Sequence, residues 1–137
     1  MPKIKRIHHV AILVEDLDAP LSFWQTALGL ELDHIQEMPS EAARIAFLPT
    51  GDSEVELVMP VTGDSGLARY LEKRGPGMHH ICLEVDDIQG MIAQLKAQGI
   101  QLINEEVQVT AQGRKYAFVH PRSAYGVLVE LYEMPGT

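Results

Sequence analysis

Two histidine pairs and two glutamates set inside apolar runs are the residues of this chain best suited to chemistry. His8 and His9 fall in IHHVAILVEDL (7–17), and His79 and His80 in MHHICLEVDDI (78–88). Neighbouring side chains on a strand project from opposite faces, so the two members of each pair cannot share a role. Val10, Ile12 and Val14 read as the face that packs under a helix, with His8 in the same parity, which turns His9 the other way with Ala11 and Leu13. In the second block Ile81, Leu83 and Val85 take the packed face with His79, and His80 turns away with Cys82. Glu56 lies between Val55 and Leu57, and Glu130 between Val129 and Leu131. An ionised carboxylate buried without a partner is costly, so each needs a cation, a hydrogen-bond network or a solvated strand face. Either glutamate alone fits the solvated face equally well, as half-buried strands often alternate apolar and polar. The same His-then-Glu pattern in both halves favours a metal site made by His9, Glu56, His80 and Glu130. Two imidazoles and two carboxylates suit a divalent ion with open positions, such as Co, Ni, Mn, Zn, Fe or Mg.

The elements that must position these donors repeat as well. Each block is a period-2 strand closed by an acidic turn, then a helical pattern over Ala19–Leu28 or Ile88–Gln98, then a glycine (Gly29, Gly99) suited to the positive φ of a helix end. Leu30–Leu32 and Ile100–Ile103 read as the next strands. Arg44–Leu48 with Glu54–Met59, and Lys115–Val119 with Val127–Tyr132, read as the closing pairs. The expected fold is α+β: duplicated βαβββ modules, about 5–62 and 78–134, whose curved mixed sheets surround a shared metal-binding cleft. They form one domain, 1–137. Residues 63–77 form a linker with glycine and proline at both ends of a short helix, Leu67–Arg74.

The 137 residues, 46% hydrophobic and 22% charged, are enough for a buried core and typical of a globular protein. The single cysteine, Cys82, cannot form an internal disulfide and reads as a small buried apolar residue. No window approaches a membrane span and no cleavable leader is evident, so the expectation is a cytoplasmic protein without a membrane partner. Eleven Lys and Arg against nineteen Asp and Glu give a net charge of −8, which disfavours nucleic acid. Local basic clusters, Arg69, Lys73, Arg74 and Arg114, Lys115, Arg122, leave room for a small anionic ligand. An apolar-rich first helix with Phe23 and Trp24, together with edge strands, suggests a homodimer.

The pairs HHVAI and HHICLEVDDI, the stretch EVELVMPV, the segment DSGLARYLEKRGPGMHHI and the C-terminal AFVHPRSAYGVLVELYE resemble the vicinal-oxygen-chelate superfamily, and within it the methylmalonyl-CoA epimerase family. The resemblance covers nearly the whole chain. It implies metal ligands at His9, Glu56, His80 and Glu130, the positions parity also selects. It implies an isomerase that moves the C2 proton of a short branched acyl-CoA through a metal-stabilised enolate, with Glu130 as one base. It also implies a substrate loop at His120, Ser123 and Gly126, although a plain β-turn explains His120 and Ser123 equally well. The chain departs from part of the family in AARIAFLP, where Arg44 and Ile45 stand in the neighbourhood of a second glutamate base. Glu41 on the preceding loop, or a water, is then left to serve the opposite face. Competing readings are a glyoxalase I-type lyase acting on a glutathione hemithioacetal, an iron-dependent ring-cleaving dioxygenase, a non-catalytic small-molecule binder, and a duplicated domain with no site.

Overall fold

The computed structural model describes residues 1–136, so the final residue of the expected domain lies outside the described residues. The element order is βαβββ twice, with a helix between the repeats. The chain divides into two compact units: His9–His79, and Met1–His8 together with the residues from His80 onward. Strand β1 (Ile4–Leu13) contributes to both, since its first residues belong to the second unit.

In the first unit the strand order is β2-β3-β4-β1, with β2 at His34–Met38, β3 at Ala43–Pro49 and β4 at Glu54–Pro60. β1 runs parallel to β4, and the other pairs are antiparallel. Both faces are covered, as a mixed sheet of Val, Ile and Leu runs requires. One face carries Val14, Leu48 and Leu57, packed by Ile12, Leu21 and Trp24. The other carries Ala11, Leu13, Ile45 and Val58, packed by Leu67, Tyr70 and Leu71 of α2 (Gly66–Arg74). Ser65 caps α2 by accepting from the Ala68 amide at 3.1 Å.

The first helix departs from expectation. Only Asp18–Leu21 is α-helical (α1); Ser22–Ala27 winds as a π-helix, with the Leu28 amide bonded to the Phe23 carbonyl five residues back. The wide turn buries half of Trp24 in the core and leaves Phe23 53% exposed. Leu30 and Leu32 alternate because both side chains pack into that core, not because their backbone joins the sheet; the strand begins at His34.

The second unit has the order β5-β8-β7-β6, with β5 at Gly77–Val85, β6 at Gln108–Val109, β7 at Lys115–Val119 and β8 at Val129–Glu133. Its core lies beneath α3 (Ile88–Ala97), where Ile88, Met91 and Ile92 meet Val85, Ala117, Val119 and Leu131. Asp87 caps α3 through the Gly90 amide at 3.0 Å. Ile100–Ile103 is not a strand: one bridge, Leu102 to Val119, forms, and the Asn104 side chain accepts from the Phe118 amide where a strand would offer a carbonyl. At the N-terminal end Lys3 exchanges bonds with Asp86, and Arg6 and Lys5 pair with the buried Glu84 at 2.8 and 3.5 Å. No helix among the described residues is long and apolar enough to cross a membrane.

Candidate metal centre

Strand register brings one histidine and one glutamate together in each unit. In the first, His9 lies opposite Glu54 and Ala11 opposite Glu56 across the parallel β1–β4 pair. His9 is only 1% exposed, and its Nδ1 meets Glu56 Oε2 at 3.3 Å. In the second unit Cys82 lies opposite Glu130 across the parallel β5–β8 pair, and His80 Nε2 meets Glu130 Oε1 at 3.0 Å. The edge of the Phe118 ring meets the His80 ring at 5.5 Å, with Phe118 the cross-strand neighbour of Glu130. Two ligands bonded to one ion at ~2.0–2.2 Å stand about 3–3.5 Å apart, so each His–Glu contact has the spacing of neighbouring ligands. Within each unit, an imidazole beside a carboxylate is a donor pair that suits a divalent ion.

The other member of each histidine pair is occupied with rings. His8 meets Tyr132 edge-on at 5.0 Å, and His79 meets Tyr70 at 4.7 Å. The Tyr132 hydroxyl is pushed well above its ordinary pKa, first by burial and then by the charges of Glu130 and Cys82, against a smaller pull from Arg114. It stays a neutral phenol, and Arg114 lies over its ring at 4.9 Å.

The remaining expected site residues lie on turns. Glu41 ends a 3₁₀ turn, Pro39–Glu41, and is exposed on the loop between β2 and β3. His120 begins a second such turn, Pro121–Ala124, with its Nδ1 accepting from the Arg122 amide at 3.0 Å. Ser123 Oγ accepts from the Gln101 amide at 2.9 Å, which leaves a hydroxyl able to donate. Gly126, at φ 97°, gives its amide to the Pro121 carbonyl at 2.8 Å. The resemblance implied a substrate loop here, where exposed backbone amides would meet a substrate carboxylate. Instead Ser123, Gly126 and Val127 use theirs to hold the loop's own shape.

One donor escaped the sequence reading. Glu54 sits two residues before Glu56 on the same face of β4, and one ligand atom from each of His9, Glu54 and Glu56 lies within 4.8 Å of the others. The alternation in EVELV carried this signal, because a strand that turns Glu56 toward His9 turns Glu54 there too.

Residues 8–118 match the family model of the Glyoxalase/Bleomycin resistance protein/Dioxygenase superfamily. The chain is 39% identical to the mitochondrial methylmalonyl-CoA epimerase of Homo sapiens over 92% of its own length and 72% of that protein's. It is 35% identical to the ethylmalonyl-CoA/methylmalonyl-CoA epimerase of Cereibacter sphaeroides, covering 96% of this chain and 99% of that one. Among solved structures it resembles a variant of the Streptomyces coelicolor methylmalonyl-CoA epimerase in complex with 2-nitronate-propionyl-CoA, with TM-score 0.84 and 30% identity over 96% of both chains. By the family model and by these relatives, the chain belongs to the Glyoxalase/Bleomycin resistance protein/Dioxygenase superfamily and, within it, to the methylmalonyl-CoA epimerase family.

Proposed function

We propose that this protein is a divalent-metal-dependent epimerase that interconverts (2R)- and (2S)-methylmalonyl-CoA by removing and returning the proton at C2. The observation that carries the reading is the duplicated buried His–Glu contact, His9 with Glu56 and His80 with Glu130. It occurs in a chain whose relatives act on methylmalonyl-CoA. The glutathione-dependent lyase, the dioxygenase and the non-catalytic binder give way to it for the second reason.

A hydrogen beside a thioester carbonyl is weakly acidic, so its base must be held close and the oxygen that gains charge must meet positive charge. When bound, a divalent ion supplies that charge as a Lewis acid, and His9, Glu56, His80 and Glu130 are the residues proposed to hold it. Glu130 is also proposed to take the C2 proton. It is 6% exposed on β8, beside Cys82 and Phe118, which restricts its motion. Inversion needs a proton returned to the other face, and Glu41, or a water, is proposed to supply it. Ser123, with His120 and Gly126 shaping the loop, is proposed to orient the substrate by donating from its hydroxyl. Exposed Phe23 supports a homodimer. A single cysteine, Cys82, fits a reducing, cytoplasmic setting.

The test is interconversion of each stereoisomer by metal-stripped and reconstituted protein. Activity should vanish on stripping and return with the ion. Reconstituted protein that interconverts neither isomer, or that is protected thermally by glutathione thioesters and not by coenzyme A thioesters, would overturn the assignment.

A further inference from the structure

The two units are unequal in their donors. In the second, the residue two before Glu130 is Leu128, whose carbonyl bonds to the Ile81 amide, so β8 offers a single carboxylate at the level of His80. In the first, the corresponding residue is Glu54, the direct cross-strand neighbour of His9. Ala11, opposite Glu56, has no bulk to fill the space beside that carboxylate. His9, Glu54 and Glu56 thus bring one nitrogen and two carboxylate oxygens within 4.8 Å of one another. Bonds of ~2.0–2.2 Å place the donors of one ion at most about 4.4 Å apart, so small side-chain rotations close the set. Glu56 is buried and Glu54 is half-buried, so the charges of these carboxylates are poorly screened. Among the described residues the second unit has no three-donor group of its own.

We propose that Glu54 is a third donor beside His9 and Glu56, so that the first unit holds a divalent cation by itself, without His80 or Glu130. The proposal rests on the metal-dependent reading above. Two carboxylates neutralise a divalent charge, and an oxygen-rich set favours harder ions such as Mn²⁺ or Mg²⁺ over thiophilic ones. On this account His9, Glu54 and Glu56 are enough to hold the ion.

Metal-stripped full-length protein titrated with Mn²⁺, with free ion read by electron paramagnetic resonance, tests the assignment. The double variant His80→Ala/Glu130→Gln should still bind one Mn²⁺ per chain. Adding Glu54→Gln to it should weaken binding at least about tenfold, the low end of what loss of even an outer-sphere partner costs. Glu54→Asp should recover part of the affinity, and circular dichroism checks that each variant is folded. If wild type binds Mn²⁺ and the double variant binds none, the self-sufficient first unit is wrong while the metal-dependent reading stands. Unchanged affinity on Glu54→Gln in both backgrounds removes Glu54 as a donor. No binding by wild type removes both ideas.

Discussion

The two units run the same strand program around the same His–Glu contact and differ in what surrounds it. In the first, the face that carries His9 and Glu56 continues into Leu13, Val58 and Ile45, and α2 closes over it with Leu67, Tyr70 and Leu71. In the second, the same level is polar and aromatic: Tyr116 faces Tyr132 across β7 and β8, His8 stands against Tyr132, and Arg114 lies over it. Carboxylates are distributed unequally too, with Glu54 and Glu56 on β4 against Glu130 alone on the matching part of β8. A duplicated backbone therefore does not give the two His–Glu contacts equivalent surroundings. The first is rich in donors and packed under a helix. The second holds one fixed carboxylate among rings, an arrangement suited to a base.

The division of labour is broken most directly at Glu130. Replacing it with Gln keeps the shape and an oxygen donor but removes the ability to accept a proton. Turnover should fall at least ~10²-fold, with slowed exchange of solvent deuterium into C2. Full exchange and full inversion by metal-loaded Glu130→Gln would overturn its proposed role as base. Exchange without inversion would leave Glu130 serving one face and send the search to Glu41.

The cores come next. Ile88 is fully buried in the second unit and Leu57 in the first, and truncation of either to Ala should cost about 2–5 kcal/mol in urea melts. A cost below about 1 kcal/mol at either site would mean that unit packs more loosely than its cluster implies.

Parity at the histidine pairs sharpens the comparison at lower cost. His9→Ala and His80→Ala should each weaken metal binding at least about tenfold, while His8→Ala and His79→Ala leave it near wild type. The reverse pattern, measured by metal content after dialysis, would invert the faces.

The smallest effect lies at Glu84. Burial alone would raise its pKa, but Arg6 and then Lys5 outweigh burial and hold it below the ordinary carboxylate value. A group depressed in the folded state stabilises the fold above its unfolded pKa, and that contribution fades as the pH falls through the folded one. Glu84→Gln should therefore flatten the acid side of the stability curve from the ordinary glutamate pKa downward, and leave it unchanged nearer neutral pH. An unchanged acid limb would show that the pair contributes nothing measurable.

Much of this was readable in the chain because strands obey a period of two. The separation of His9 from His8 and of His80 from His79, the order βαβββ twice, and the positive φ of Gly29 and Gly99 follow from alternation and from the backbone freedom of glycine at a helix end. The same rule misled at Leu30–Leu32, whose side chains pack into a core while the strand begins only at His34, and at Ile100–Ile103, which meets β7 through a single bridge and does not form a strand. Core packing and ladder pairing write the same apolar pattern, so pattern alone cannot separate them.

The residues alone determined which histidine of each pair shares a face with a glutamate, because that depends on local parity, and their motifs carried the resemblance to the family. Only the tertiary structure decided what stands opposite what: Ala11 and not a bulky residue across from Glu56, Glu54 across from His9, Phe118 across from Glu130. It also decided that the Gly126 amide is bonded within its loop. Those facts depend on strand register and on turn geometry between residues distant or differently wound in the chain, where a shift of one position would turn every side chain to the other face.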